Sequence, residues 1–198
     1  MALLQIQLLG GCEFRDRSGR RLPLTARKCR ALLAFLAMQL GQPQSREKLA
    51  ALLWDESDGE SARTSLRQAL ATIRRSLPAK AHALLRADPL QIALDAAEIE
   101  VDVVQLRALL AESTTASLRA AMAIAAGELL EGFDARSGAF DEWLGMERRA
   151  LRRDLASAMQ MLARLCREAG DAAGEIDALN RLLALEPLNE AAHRELME

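Results

Sequence analysis

The sequence predicts a mostly α-helical protein in two parts, with a small β-sheet in the first, and three observations predict it. The first is composition: 51% of the 198 residues are hydrophobic, yet aromatics are 3% and Tyr is absent. A core made from Leu and Ala favours helices. The second is charge. Residues 1–80 carry 14 Lys+Arg against 7 Asp+Glu and residues 81–198 carry 12 against 21, so a net of −2 hides a basic part (+7) and an acidic part (−9). Such asymmetry suits two domains with different partners, the first fitting a polyanion. The third is the order of periodic segments, which runs from short period-2 stretches through three helices and a hairpin to helices up to the end.

Residues 3–15 read as a strand, with Leu4, Ile6 and Leu8 alternating and Gly10-Gly11 marking a bulge or bend. Residues 16–19 are a turn and residues 20–24 a short second strand, with Pro23 suggesting an edge. Thr25 is a candidate N-cap for a helix from Ala26 to about Gln39, burying Leu32, Leu33, Phe35 and Leu36. Gly41 closes that helix and Pro43 blocks its continuation. Ser45 caps a short helix that runs to Trp54, and residues 55–60 turn into the next one.

Residues 60–77 carry the strongest signal. On a helical wheel Leu66, Leu70, Ile73 and Leu77 form a narrow apolar stripe spanning roughly 60°. Arg63, Arg67 and Arg74 form one polar row, and Thr64, Gln68 and Arg75 the next, with Ala71 between them. No acid falls within residues 61–77, whereas a solvated helix face ordinarily interleaves acids for i,i+4 pairing. After Pro78, residues 84–94 read as a β-hairpin with Asp88-Pro89 near its tip. Two helices joined by a tight turn with a hairpin behind them make a winged helix-turn-helix, in which the basic helix is the recognition helix.

Residues 95–102 read as an acidic linker. Amphipathic helices are expected at 103–111, 117–130, 143–170 and 171–185, with another beginning at Asn189. Ile176, Leu183, Leu185 and Pro187 sit at offsets that suggest one tetratricopeptide-like repeat of about 34 residues over 156–189. The match is partial, because Glu175 stands where the repeat prefers Ala, and Met159, Ala163 and Cys166 replace its Trp, Gly and Tyr. The basic cluster Arg148-Arg149 and Arg152-Arg153 recurs beside Glu142, Glu147 and Asp154 and reads as a solvated, paired face.

These residues resemble the SARP-class bacterial transcriptional activators in both halves. The first half is similar to an OmpR-type winged helix, on RKCRALLAFLA at 27–37, SREKLAALLW at 45–54 and ARTSLRQALATIRRSL at 62–77. The second resembles the family's bacterial transcriptional activation domain, on GELLEGF at 127–133, FDEWL at 140–144, ERR at 147–149, and EPLNE at 186–190 with Leu196-Met197. Domains are therefore expected at 1–96 and 97–198. The resemblance implies a DNA-binding activator that dimerises on repeated half-sites and contacts the transcription machinery. Family members continue into further repeats whereas this sequence stops at Glu198, so a piece of a longer regulator is expected.

Base-edge candidates are Arg63, Thr64, Arg67 and Gln68, toward the N-terminal half of the recognition helix. Phosphate candidates are Arg74 and Arg75 at its end, Ser45, Arg46 and Lys48 at the preceding helix N-terminus, Arg27 and Lys28 at the first helix, and Arg86 on the wing. No cofactor, metal or catalytic group is expected. The acidic residues around Gly59 miss the calcium-loop positions, His82 and His193 have no nearby Cys, and no Gly-rich phosphate loop or Gly-x-Ser-x-Gly setting occurs. Cys12, Cys29 and Cys166 are too scattered for a disulfide or zinc framework. No apolar run approaches a membrane span of ~20 residues and no signal-peptide pattern opens the sequence, so a cytoplasmic location without a membrane partner is expected. One other reading is a protein-interaction module with a degenerate winged helix; another is the regulatory head of a longer enzyme.

Overall fold

The computed structural model describes residues 2–197. The chain forms two compact units, one of Met1–Val104 with Gly127–Gly145 and one of Gln105–Ala126 with Met146–Glu198. The boundary expected at 96/97 differs from this division, because the strand at 99–101 and the stretch 127–145 both belong to the first unit.

The first unit opens with β1 (Leu4–Gln7) and β2 (Glu13–Asp16), which pair antiparallel with Leu4 opposite Asp16. Residues 3–15 are thus two strands rather than one. The reversal is fixed by Asp102, whose carboxylate accepts from Leu8 N and Leu9 N at 2.9 Å. Residues 20–24 do not extend the sheet: Arg21 makes one bridge to Arg15, Leu22 N donates to Phe14 O at 2.9 Å, and Pro23 has no amide to give. Helix α1 (Arg27–Met38) starts after Ala26, and no side chain caps it, so Thr25 does not serve as its cap. Its residues 31–38 are all buried, which makes α1 the central helix of the unit.

Gly41, at φ +79°, turns the chain so that its N–H reaches Leu94 O at 2.9 Å. There follow β3 (Gln44–Ser45), α2 (Arg46–Leu53) and α3 (Gly59–Ser76). The expected hairpin is β4 (Leu85–Ala87) with β5 (Gln91–Leu94), and β5 also pairs with β3, giving a second sheet in the order β3-β5-β4. The stretch 95–102 is not a linker. Ile99–Val101 is strand β6, parallel to β1, and it completes the first sheet in the order β2-β1-β6. Its alternate residues Ile99 and Val101 are buried, as a strand closing a core requires.

Helix α4 (Asp102–Glu112) leads to α5 (Thr115–Ile124), whose N-terminus is a capping box between Thr114 and Ser117. The helix expected to reach residue 130 ends at Ile124. Gly127 takes φ +104°, and a Cβ there would lie 2.7 Å from Gly10 Cα, so the chain can pass β1 only with glycine at this position. Leu129 bridges to Leu9 and Gly11, and Leu130 N donates to Leu8 O.

Helix α6 (Gly138–Glu168) begins five residues earlier than expected and gives its residues up to Gly145 to the first unit. There Trp143 sits edge-on to Phe35 with centroids 4.8 Å apart, Phe140 lies 5.0 Å from Trp143, and Phe133 lies 6.2 Å from Phe140. Four of the six aromatic residues in the chain meet in this cluster.

In the second unit, α7 (Ala172–Leu185) is capped by Asp171 and α8 (Glu190–Glu195) by Asn189. The helix expected to begin at Asn189 is α8, with Asn189 as its cap and its last residue at Glu195. Leu118, Leu162, Leu179 and Leu182 are core here, while Ile176, one of the repeat positions, is 51% exposed. Glu175, anomalous for a repeat, accepts from Arg167 at 2.6 Å, and the same guanidinium reaches Glu195 at 2.5 Å. The expected pairing around Arg148-Arg149 is different in detail: Glu147 pairs with Arg107 at 2.6 Å, and Arg149, Arg152 and Arg153 are exposed.

Candidate nucleic-acid interface

Helix α3 docks through a seam of Ala62, Leu66, Ala69, Leu70 and Ile73, and that seam fixes which side chains it offers to solvent. Arg63, Arg67, Gln68, Arg74 and Arg75 are exposed, Thr64 is half-buried, and Ala71 leaves the middle of the face low. The N-terminus is held by Asp58, whose carboxylate accepts from Glu60 N and Ser61 N at 3.0 Å. Those amides, that of Ser61 foremost, draw the Asp58 carboxyl below the usual carboxylate range. Arg74 and Arg75 occupy the last turn, where the helix dipole favours cations.

Local hydrogen bonds orient the guanidinium groups. Arg67 donates to Thr64 Oγ1 at 2.9 Å and Arg75 to Thr72 Oγ1 at 3.2 Å, both one turn back along the helix. Arg74 reaches Leu85 O at 3.3 Å on the first strand of the wing. The Arg67 and Arg75 bonds are exposed and go to neutral acceptors, so exchanging them for charged acceptors costs little.

The N-terminal half of α3, the start of α2 and the tip of the hairpin enclose a groove of about 720 Å³, bordered by Arg46, Glu60, Arg63, Arg67 and Leu90. The base-edge candidates Arg63 and Arg67 therefore share one concavity with Ser45 and Arg46. Ser45 is the cap of α2, accepting from Lys48 N at 3.1 Å. The next amide, Arg46 N, donates to Leu90 O at 2.9 Å, and Arg46 Nε donates to Asp88 O at 2.7 Å. Two of the amides that an anion would use at this helix end are thus already engaged.

The other phosphate candidates stand apart from the groove. Arg27 pairs with Asp134 at 3.2 Å. Lys28 Nζ donates to Arg136 O at 2.7 Å and to Leu53 O, the C-terminal end of α2; burial lowers its pKa despite nearby acids. Lys48 Nζ donates to Gln44 Oε1 at 2.9 Å and lies 5.4 Å from the Phe35 ring centroid. Arg86 is ion-paired with Asp95 at the base of the hairpin. Sequence reading cannot foresee these partners, because most lie many positions away. Glu47, Glu60, Leu90 and Gln91 also border this groove, and of these only Leu90, an apolar residue inside an Asp-Pro turn, carries a signal visible in the sequence.

The sequence profile described as bacterial transcriptional activator domain matches residues 94–198, and that described as transcriptional regulatory protein, C terminal, matches residues 19–88. The chain belongs to the bacterial transcriptional activator domain family. The two profiles follow one another along the chain and together cover most of it. A solved structure of Mycobacterium tuberculosis EmbR, in complex with a low affinity phosphopeptide, has the same fold, with a TM-score of 0.75 and 24% identity over 97% of this chain. This chain spans 53% of the length of that one. No curated protein sequence matches it significantly.

Proposed function

We propose that the winged helix reads duplex DNA in a sequence-specific way, with α3 in the major groove. Arg63, Arg67 and Gln68 meet base edges there, with Thr64 bracing Arg67. The observation that carries this reading is the cation-rich face of a capped helix, free of acids after Glu60, bordering a groove closed by the wing. Arg fits the O6/N7 edge of guanine and Gln the N6/N7 edge of adenine. Arg74, Arg75 and Arg46 meet phosphates and set the register. Arg27, Lys28, Lys48 and Arg86 have no DNA role in this proposal, since none lies on α3 or borders its groove, and Arg27 and Arg86 are paired with acids.

The second unit contributes partner contacts: self-association on repeated half-sites and attachment to the transcription machinery. Its exposed Leu188 (93%) and Met197 (81%) beside acidic residues suit protein surfaces better than a polyanion. The chain acts without catalysis or cofactor, in the cytoplasm.

The test is affinity for random-pool duplex DNA over a salt series, for wild type and Arg67→Ala. Steep weakening with salt is expected, together with a relaxed sequence preference in Arg67→Ala worth about 1–3 kcal/mol of discrimination. No duplex binding even at low salt would refute the proposal.

A further inference from the structure

The tip of the wing presents an apolar side chain on a rigid mount. Asp88 Oδ1 accepts from Leu90 N and Gln91 N, each at 2.7 Å, and Asp88 N donates to Gln91 O at 3.0 Å. Arg46 binds Leu90 O through its amide and Asp88 O through Nε, fastening the tip to the start of α2. The backbone of the tip is thus held from both sides, and the side chain of Leu90 projects from it at 77% exposure. Among the described residues of the first unit it is the one large hydrophobic side chain so exposed. It borders the same groove as Arg63 and Arg67. The sole cation of the hairpin, Arg86, is tied to Asp95 at the opposite end.

A lone exposed Leu on a mobile loop would need no explanation. This one is immobilised beside the cationic face of α3. We propose that Leu90 is an apolar wedge that enters the minor groove next to the site read by α3, packing on sugars and base edges and favouring a deformable pyrimidine–purine step there. The inference rests on the DNA-binding reading above. Apolar side chains pressed between base pairs cost unstacking, which is least at TA and CA/TG steps, so they create preference at a position where no hydrogen bond is made. A leucine neutralises no phosphate, so this preference is independent of salt.

Enrichment of duplexes from a random pool, followed by sequencing, tests the wedge with wild type, Leu90→Ala and Arg67→Ala. The wild-type pool should contain a core motif and, beside it, an enriched pyrimidine–purine step. Leu90→Ala should keep the core, lose the flanking step, and bind the wild-type-selected duplex roughly tenfold more weakly with the same salt slope. Arg67→Ala should change the core and keep the flank. The wedge is refuted if Leu90→Ala enriches the same flank as wild type, loses the core together with the flank, or changes the salt slope. A wild-type pool with no enrichment would instead refute the DNA-binding reading itself.

Discussion

Asp102 shows how one side chain can organise a fold. In sequence it is one of several acids in a stretch that reads as a linker. In the structure its carboxylate accepts from Leu8 N and Leu9 N, and also from Val103 N at 2.7 Å, so that the end of β1 and the start of α4 share one acceptor. Burial raises its pKa, and the three amides oppose that rise. Asp102→Ala leaves two amides of the β1 turn without partners and should destabilise the first unit by about 1–3 kcal/mol in urea titration. Asp55 behaves oppositely. It accepts from Ala139 N at 3.0 Å and lies 2.8 Å from Ser137 Oγ, and the Ala139 amide is the main reason its pKa is lowered. A lowered folded value means its contribution is complete above the ordinary carboxylate pKa of about 3.9 and fades as pH falls below it. The stability gap between wild type and Asp55→Ala should therefore narrow on acidification from pH 5 to pH 2. Cysteine chemistry follows from burial in the same way: desolvation pushes Cys12 up to about 11 and raises Cys29 as well. Neither should react with a thiol reagent at pH 8 until denaturant is added.

At the scale of elements, legibility followed the locality of the signal. The stripe and cationic rows of α3 were readable because a helical repeat depends only on neighbours within two turns. The Ser45 cap was readable for the same reason, and Ser45→Ala should cost about 1 kcal/mol, seen as a lower Tm without loss of the fold. Thr25 carried a similar local signal but does not cap α1; Ala26 takes the cap position and no side chain bonds the first turn. Strands fared worse. Residues 20–24 have strand composition but find only one bridging partner, whereas Ile99–Val101 lies in an acidic context and forms a full strand because β1 offers its free edge.

For the whole molecule, the first unit is larger than its winged-helix portion. β6 and residues 127–145 complete its sheet and its aromatic cluster, although both fall within the match to the activator domain at 94–198. A fragment of residues 1–96 lacks these pieces. Amide exchange within α1 should be faster in that fragment than in the full chain, because Phe35 loses Trp143 and the first sheet loses an edge strand. Phe140 is fully buried, and Phe140→Ala should cost about 3–5 kcal/mol and weaken DNA binding only through unfolding. Binding measured at low temperature, where the variant is still folded, should match wild type; a deficit that persists there would give Phe140 a direct role.

Sequence alone determined what short-range physics decides: the amphipathic period of the helices, Ser45 as a cap, the Asp-Pro turn of the wing, and the division of charge between the two ends of the chain. Those features were enough for the fold class and for the face of α3. Tertiary structure decided which distant groups meet. It joined β6 to β1 across some ninety residues, brought Phe133, Phe140 and Trp143 to Phe35, and tied Arg27, Lys28, Lys48 and Arg86 to protein groups. A cation's availability depends on whether an acceptor lies within hydrogen-bond reach, and for three of these four that acceptor is more than one helical turn away in sequence.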